Sequence, residues 1–155
     1  MTKVVKCPDV YIPDGIQISL FLAGGITNCP DWQEYATEFL QGPERLTIVN
    51  PRRDNFDVTD PSMSAQQIEW EHNHLSRVRA ILFWFPSDTL CPITLYELGR
   101  AGADWTKKLF VGTDSKYQRR FDVVHQLSLV RPDVFVYDSL DATLVSALSW
   151  VSHEK

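Results

Sequence analysis

The sequence predicts a doubly wound α/β fold: a five-stranded parallel sheet in the order 2-1-3-4-5 with helices on both faces. Three observations carry this. Short β-rich runs alternate with helical patterns along the chain, the rhythm of parallel strands joined by crossover helices. One run, Ala80 to Phe85 (A-I-L-F-W-F), is apolar throughout, as a central parallel strand buried on both faces should be. Glycine and proline punctuate the alternation, with Gly24-Gly25 closing the first strand and Gly42-Pro43 the first helix.

The first predicted strand is Gln17 to Ala23. A helical pattern follows, with Trp32, Tyr35, Ala36, Phe39 and Leu40 on one face. Pro30 suits its first turn, and Asp31 and Glu34 suit the positive end of its dipole. The second strand, Leu46 to Val49, runs into Asn50-Pro51-Arg52-Arg53. Residues 51–63 are polar, with proline and aspartate, and read as a long surface loop of the kind that often carries function. Ser64 is the expected cap of a helix from about Ala65 to Arg79. After the third strand, Pro92 opens a helix that runs to about Thr106. The fourth strand is Lys108 to Gly112, followed by a helix from about Arg119 to Val130. The fifth is Val134 to Tyr137, before a last helix ending near Val151. Ligands of such sheets bind beyond the carboxyl ends of the strands, near the point where the strand order reverses.

Length and composition bound the function. A chain of 155 residues fits one domain, 1–155, large enough for a core without disulfide or metal staples. The net charge of −5 opposes non-specific binding of a nucleic acid polymer but leaves room for a small anion held by local arginines. Cys7, Cys29 and Cys91 are odd in number, widely spaced and without a C-x-x-C pair, which fits free thiols in a reducing compartment. The N-terminal residues lack the apolar core of a secretion signal, and no stretch is apolar enough to span a membrane, so a cytoplasmic, non-membrane protein is expected. His72 and His74 are two apart and face different sides of a helix. Nothing calls for a metal or cofactor.

Two glutamates stand out by position. Glu71 falls on the stripe of Ile68, Leu75 and Val78, which the pattern turns inward. Glu97 shares a face with Ile93 and Ala101 among apolar or small neighbours. Each reads equally as a solvated helix carboxylate, or for Glu71 as half of an ion pair with a nearby arginine. Helices in this fold run antiparallel to their strands, so early turns lie at the strand carboxyl ends. Both glutamates are expected early in helices flanking the third strand, pointing into one pocket. Paired carboxylates are the equipment of glycosyl transfer. Gly24, Gly25, Asn50, Arg52, Ser87 and Asp88 complete the expected rim as substrate-binding residues. Gly24-Gly25 before a helix also suits a phosphate or hydroxyls, although it equally makes a tight turn and is neither a P-loop nor a dinucleotide fingerprint. Trp32 and Phe56 are candidates for stacking on a base, or for ordinary packing.

These residues resemble a known family, the nucleoside 2-deoxyribosyltransferases and their nucleotide N-glycosidase relatives. The likeness rests on F-L-A-G-G-I at 21–26, on I-E-W-E ending at Glu71, and above all on Y-E-L-G-R-A at 96–101. It spans most of residues 17–137. The resemblance implies that Glu97 is a nucleophile attacking C1′ of the sugar and that Glu71 takes the acid/base role, where the family usually has an aspartate. It further implies homo-oligomers, a homodimer or larger, whose sites borrow residues from a neighbour. One departure is Cys91, where the transferases often carry a sugar-binding aspartate six residues before the nucleophile and the nucleotide-hydrolysing relatives a small residue. Asp88 is the nearest substitute. The expected function is cleavage or exchange of the base of a (deoxy)nucleoside or its monophosphate. The alternative is a ligand-binding module of the same fold with its chemistry reduced. In the enzyme reading Glu97 is ionised, helped by Arg52 or the helix N-terminus, and Glu71 holds the proton, its pKa raised by burial.

Overall fold

The computed structural model describes residues 1–154 and alternates strands with helices from end to end. In chain order these are β1 (Lys3–Lys6), β2 (Ile18–Gly24), α1 (Trp32–Phe39), β3 (Leu46–Asn50), α2 (Pro61–Arg77), β4 (Ala80–Phe85), α3 (Pro92–Gly102), β5 (Lys108–Thr113), α4 (Arg120–Val130), β6 (Val136–Tyr137) and α5 (Leu140–His153). All pairings are parallel, in the order β1-β3-β2-β4-β5-β6. The five predicted strands therefore stand in the predicted order. A sixth strand, β1, adds an edge beyond β3. Its four residues, K-V-V-K, bury only Val5 fully, too short a pattern to read as a strand.

Period-two alternation divides each central strand between two cores. From β2, Ile18, Leu20 and Leu22 pack with α1 and α5, while Phe21 and Ala23 pack with the α2–α3–α4 face. From β4, Ala80, Leu82 and Trp84 join the first core, and Ile81, Phe83 and Phe85 the second. All six β4 residues are buried, which explains the unbroken apolar run. No helix is long and apolar enough to cross a membrane among the described residues.

The helix starts follow their caps. Asp31 Oδ1 accepts from Glu34 N at 3.0 Å and opens α1 at Trp32. Helix α2 begins at Pro61, four residues before the expected Ala65, because Asp60 rather than Ser64 is its cap. An aspartate cap followed by proline at the first helical position is the stronger start signal. Its early turns are largely exposed, and Trp70 is its first buried residue. The inward stripe is Trp70, His74 and Leu75, and Ile68 is 66% exposed rather than inward. Glu71 consequently sits deep in a long helix instead of in its early turns.

Helix α2 also secures the segment after β1. Trp70 Nε1 donates to Asp9 O at 2.7 Å, and Tyr11 N donates to His74 Nε2 at 3.0 Å. The two rings stack at 4.0 Å. With Nδ1 donating to Trp70 O at 2.7 Å, His74 is a neutral ring with both nitrogens engaged, and burial holds its pKa below the usual histidine range.

Candidate active site

The chain leaves β2 for β3 on one side and later returns to β4 on the other. Strand order reverses there, and a crevice opens at the carboxyl ends of β2 and β4. A cleft of about 370 Å³ occupies it. Its floor is Phe21, Ala23, Gly24 and Gly25 from β2 and its exit. One wall is Gln67 and Glu71 of α2 with Pro51, Arg53 and Phe56 from the preceding loop. The opposite wall is Glu97 of α3 with Cys91 to Thr94 at that helix's start.

The glycines are required by contact. A Cβ on Gly24 would strike Trp84 O and the Trp32 ring. A Cβ on Gly25 would lie 2.5 Å from Cys29 Sγ and 2.7 Å from Cys91 Sγ. Gly25 O is engaged by Trp32 Nε1 at 3.0 Å and Gln33 Nε2 at 3.4 Å. The N-terminus of α1 is already occupied by the Asp31 carboxylate, so no phosphate cradle forms at that helix end.

Glu71 and Glu97 both face this cleft, from α2 and α3. Neither forms an ion pair among the described residues. Glu71 has a neutral partner instead: Gln67 Nε2, one turn earlier, donates to its Oε1 at 2.8 Å. Burial raises the Glu71 carboxyl above the usual range, and the Gln67 hydrogen bond opposes the rise. Burial, then the charge of Glu71, push Glu97 up to about 8, with Arg100 opposing. Burial raises Glu71 as expected, but Glu97, expected to be ionised, is raised as well. Burial is the larger cause of the Glu97 shift, and among the described residues Glu97 has no counterpart of the Gln67 hydrogen bond that opposes the rise of Glu71. Arg100 is turned to His72 Nδ1 and Ser76 Oγ, each at 3.0 Å.

Arg52 does not help Glu97. Its guanidinium donates to Gln33 Oε1 and to the carbonyls of Ile26, Cys29 and Pro30, and it pairs with Asp31 at 3.2 Å. It anchors the loop between β2 and α1, outside the cleft lining. Asn50 is buried, and its Oδ1 accepts from Arg52 N at 2.9 Å. Ser87 and Asp88 are exposed on the loop after β4 and also lie off the lining. Of the expected rim, Gly24 and Gly25 reach the cleft and the other four do not.

Arg53 and Gln67 line the cleft without having been anticipated in those positions. Gln67 carried a usable signal, its i−4 spacing from Glu71. The choice between Arg52 and Arg53 carried none, since neighbours in irregular backbone point in unrelated directions. Phe56 lines the cleft, whereas Trp32 is buried in the α1–α5 core. Cys91 adopts a left-handed conformation (φ 48°) as the chain enters α3, and its thiol lies against Gly25 at the edge of the floor. Among the described residues no group of three or more His, Cys, Asp or Glu is placed to hold a metal.

No curated protein matches the chain. A family model described as "Nucleoside 2-deoxyribosyltransferase like" matches residues 17–117, from β2 through the loop after β5. That span contains both glutamates and every residue of the cleft lining. The chain therefore belongs to the nucleoside 2-deoxyribosyltransferase-like family.

Proposed function

We propose that the protein cleaves or exchanges the base at the N-glycosidic bond of a nucleoside or nucleoside monophosphate. One observation carries the reading: two half-buried glutamates, neither in an ion pair among the described residues, share a single cleft at the reversal point of the sheet, each carboxyl raised chiefly by burial. A departing base needs a proton, and C1′, which gains positive character, needs a carboxylate. A pair holding one proton supplies both. Glu97 is the nucleophile and Glu71 the acid. Substrate entry brings a base nitrogen to Glu71 while Gln67 Nε2 stays on its Oε1, and the proton moves from Glu97 to Glu71 before the bond breaks. Gly24 and Gly25 bring backbone close to the sugar. Asn50 and Arg52 support the site through the β2–α1 loop, and Ser87 and Asp88 stand at its outer margin. The chain acts as one domain without a cofactor, in the cytoplasm, and as a homodimer or larger assembly that completes the site.

A ligand-binding module is the second reading, favoured by the burial that pushes Glu97 up to about 8, since a neutral carboxyl binds without attacking. A panel of nucleosides and their monophosphates, scored for free base with and without a second base, separates the possibilities. Base release identifies a hydrolase, exchange only with an added base a transferase, and a shifted melting point without turnover a binder.

A further inference from the structure

Two buried side-chain polar atoms lack a hydrogen-bond partner among the described residues, Arg53 Nε and Gln67 Oε1. Both belong to the wall that carries Glu71. Native proteins leave few such atoms, because an unmade buried hydrogen bond is costly. The two are of opposite kind, one N–H donor and one oxygen acceptor.

Neither side chain can resolve this by turning over. Gln67 Nε2 donates to Pro51 O and to Glu71 Oε1, each at 2.8 Å. Flipping the amide would set its oxygen against two acceptors. Arg53 Nη1 is held by Gln66 Oε1 at 2.8 Å and reaches Cys7 Sγ at 3.3 Å. Arg53 forms no ion pair with any described carboxylate.

We propose that Arg53 and Gln67 recognise the edge of the departing nucleobase, Arg53 Nε–H donating to a ring nitrogen or carbonyl and Gln67 Oε1 accepting from the adjacent N–H. The proposal rests on the reading that the cleft takes a nucleoside or nucleotide. Its location follows from Glu71: Gln67 lies one helical turn away and bonds to it, so a base protonated by Glu71 lies against Gln67. Phe56, on the same loop as Arg53, lines this wall and is 37% exposed, a ring face on which a base can stack. In the reaction the C1′–N bond breaks and its electron pair passes to the base nitrogen. That nitrogen takes the Glu71 proton, and a Glu97 oxygen bonds to C1′. Arg53 shares the negative charge that develops on the base.

The recognised class is a base with an acceptor beside a donor: the amino edge of adenine or cytosine, or a lactam edge. A base with acceptors alone leaves Gln67 Oε1 orphaned. A site built to hydrogen-bond a donor rejects the analogue lacking it strongly.

The test measures binding of free bases by calorimetry to the wild-type protein, Gln67→Leu and Arg53→Met, each confirmed folded by melting. The probes are adenine against purine and cytosine against 2-pyrimidinone, each pair differing by one amino group. Wild type is expected to prefer at least one amino-bearing member by about a hundredfold. Gln67→Leu should abolish that preference. Arg53→Met should weaken both members of the pair alike, by roughly tenfold, because both keep the ring acceptor. If Arg53→Met fails to fold, Arg53→Lys replaces it with the same direction expected. An unchanged preference in folded Gln67→Leu overturns the proposal, and an internal water then satisfies the two atoms. So does an Arg53 variant that binds the bases normally but loses 2-deoxyribose 5-phosphate, which would make Arg53 a phosphate ligand. Nucleoside turnover measured in parallel keeps the two readings apart. Turnover without Gln67-dependent preference overturns this proposal alone. Gln67-dependent preference without turnover supports it and overturns the catalytic reading.

Discussion

Gln67 Nε2 donates to Glu71 Oε1 at 2.8 Å, one turn along α2, a hydrogen bond with no counterpart at Glu97 among the described residues. It opposes the burial that raises Glu71, while Glu97, facing the Glu71 charge, is pushed up to about 8.

The first prediction concerns stability against pH. The folded-state value of Glu97 lies above its unfolded one, so the folded protein binds the extra proton. That contribution is fully present below the ordinary carboxylate value and is lost as pH rises through about 8. Glu97→Gln keeps the neutral shape and removes the ionisation. Its melting temperature should match wild type near about pH 5 and exceed it by several degrees near about pH 9. Parallel melting curves across that range would contradict the assignment.

The pair should also shape the rate profile. Catalysis needs one proton on the two glutamates, and deprotonation of the pair removes the acid. The kcat/KM of the wild-type protein is expected to fall as pH rises above about 8. Glu71→Gln removes the charge facing Glu97 and should lower the Glu97 pKa, read by carboxyl-selective NMR titration. An unchanged Glu97 titration in that variant would mean the two groups are not coupled.

The roles themselves are separable. Glu97→Ala should lose base release by about 10⁴-fold or more, as expected for a lost nucleophile. Glu71→Gln should retain partial turnover of a nucleoside with an activated base and lose more with a natural one. Both rates are measured on protein shown to be folded. Wild-type turnover by folded Glu97→Ala would leave the binding-module reading in place.

Arg52 should behave as a structural residue. It holds three loop carbonyls and Gln33, so Arg52→Ala strands the buried Gln33 amide and the part-buried Ile26 and Cys29 carbonyls and is expected to cost about 2–4 kcal/mol, measured by denaturant unfolding. Lysine should rescue little, because one ammonium cannot span that set of acceptors. Loss of activity without loss of stability would instead place Arg52 in substrate binding.

Assembly is tested by light scattering. Tyr96 and Ile93 are 73% and 64% exposed beside Glu97, and Trp105 is 63% exposed. These apolar surfaces fit a homodimer or larger oligomer. Trp150, by contrast, is half-buried, its ring 5.7 Å from that of Phe110. A monomer at micromolar concentration would rule out a shared site.

The sequence by itself determined the alternation of strands and helices and the order of five of the six strands, and it singled out two glutamates that line the cleft. These follow from local periodicity and from the rule that parallel strands need crossovers, both of which a single chain displays residue by residue. The edge strand β1 escaped because a strand bonded on one side, with one fully buried residue, leaves almost no pattern. Tertiary structure alone decided the rest. It turned Arg53 rather than Arg52 to the cleft, left Asn50, Ser87 and Asp88 off it, and pushed the Glu97 carboxyl up to about 8. Side-chain direction in irregular loops and the balance of burial against neighbouring charge depend on groups far apart in the chain, and no spacing rule encodes them.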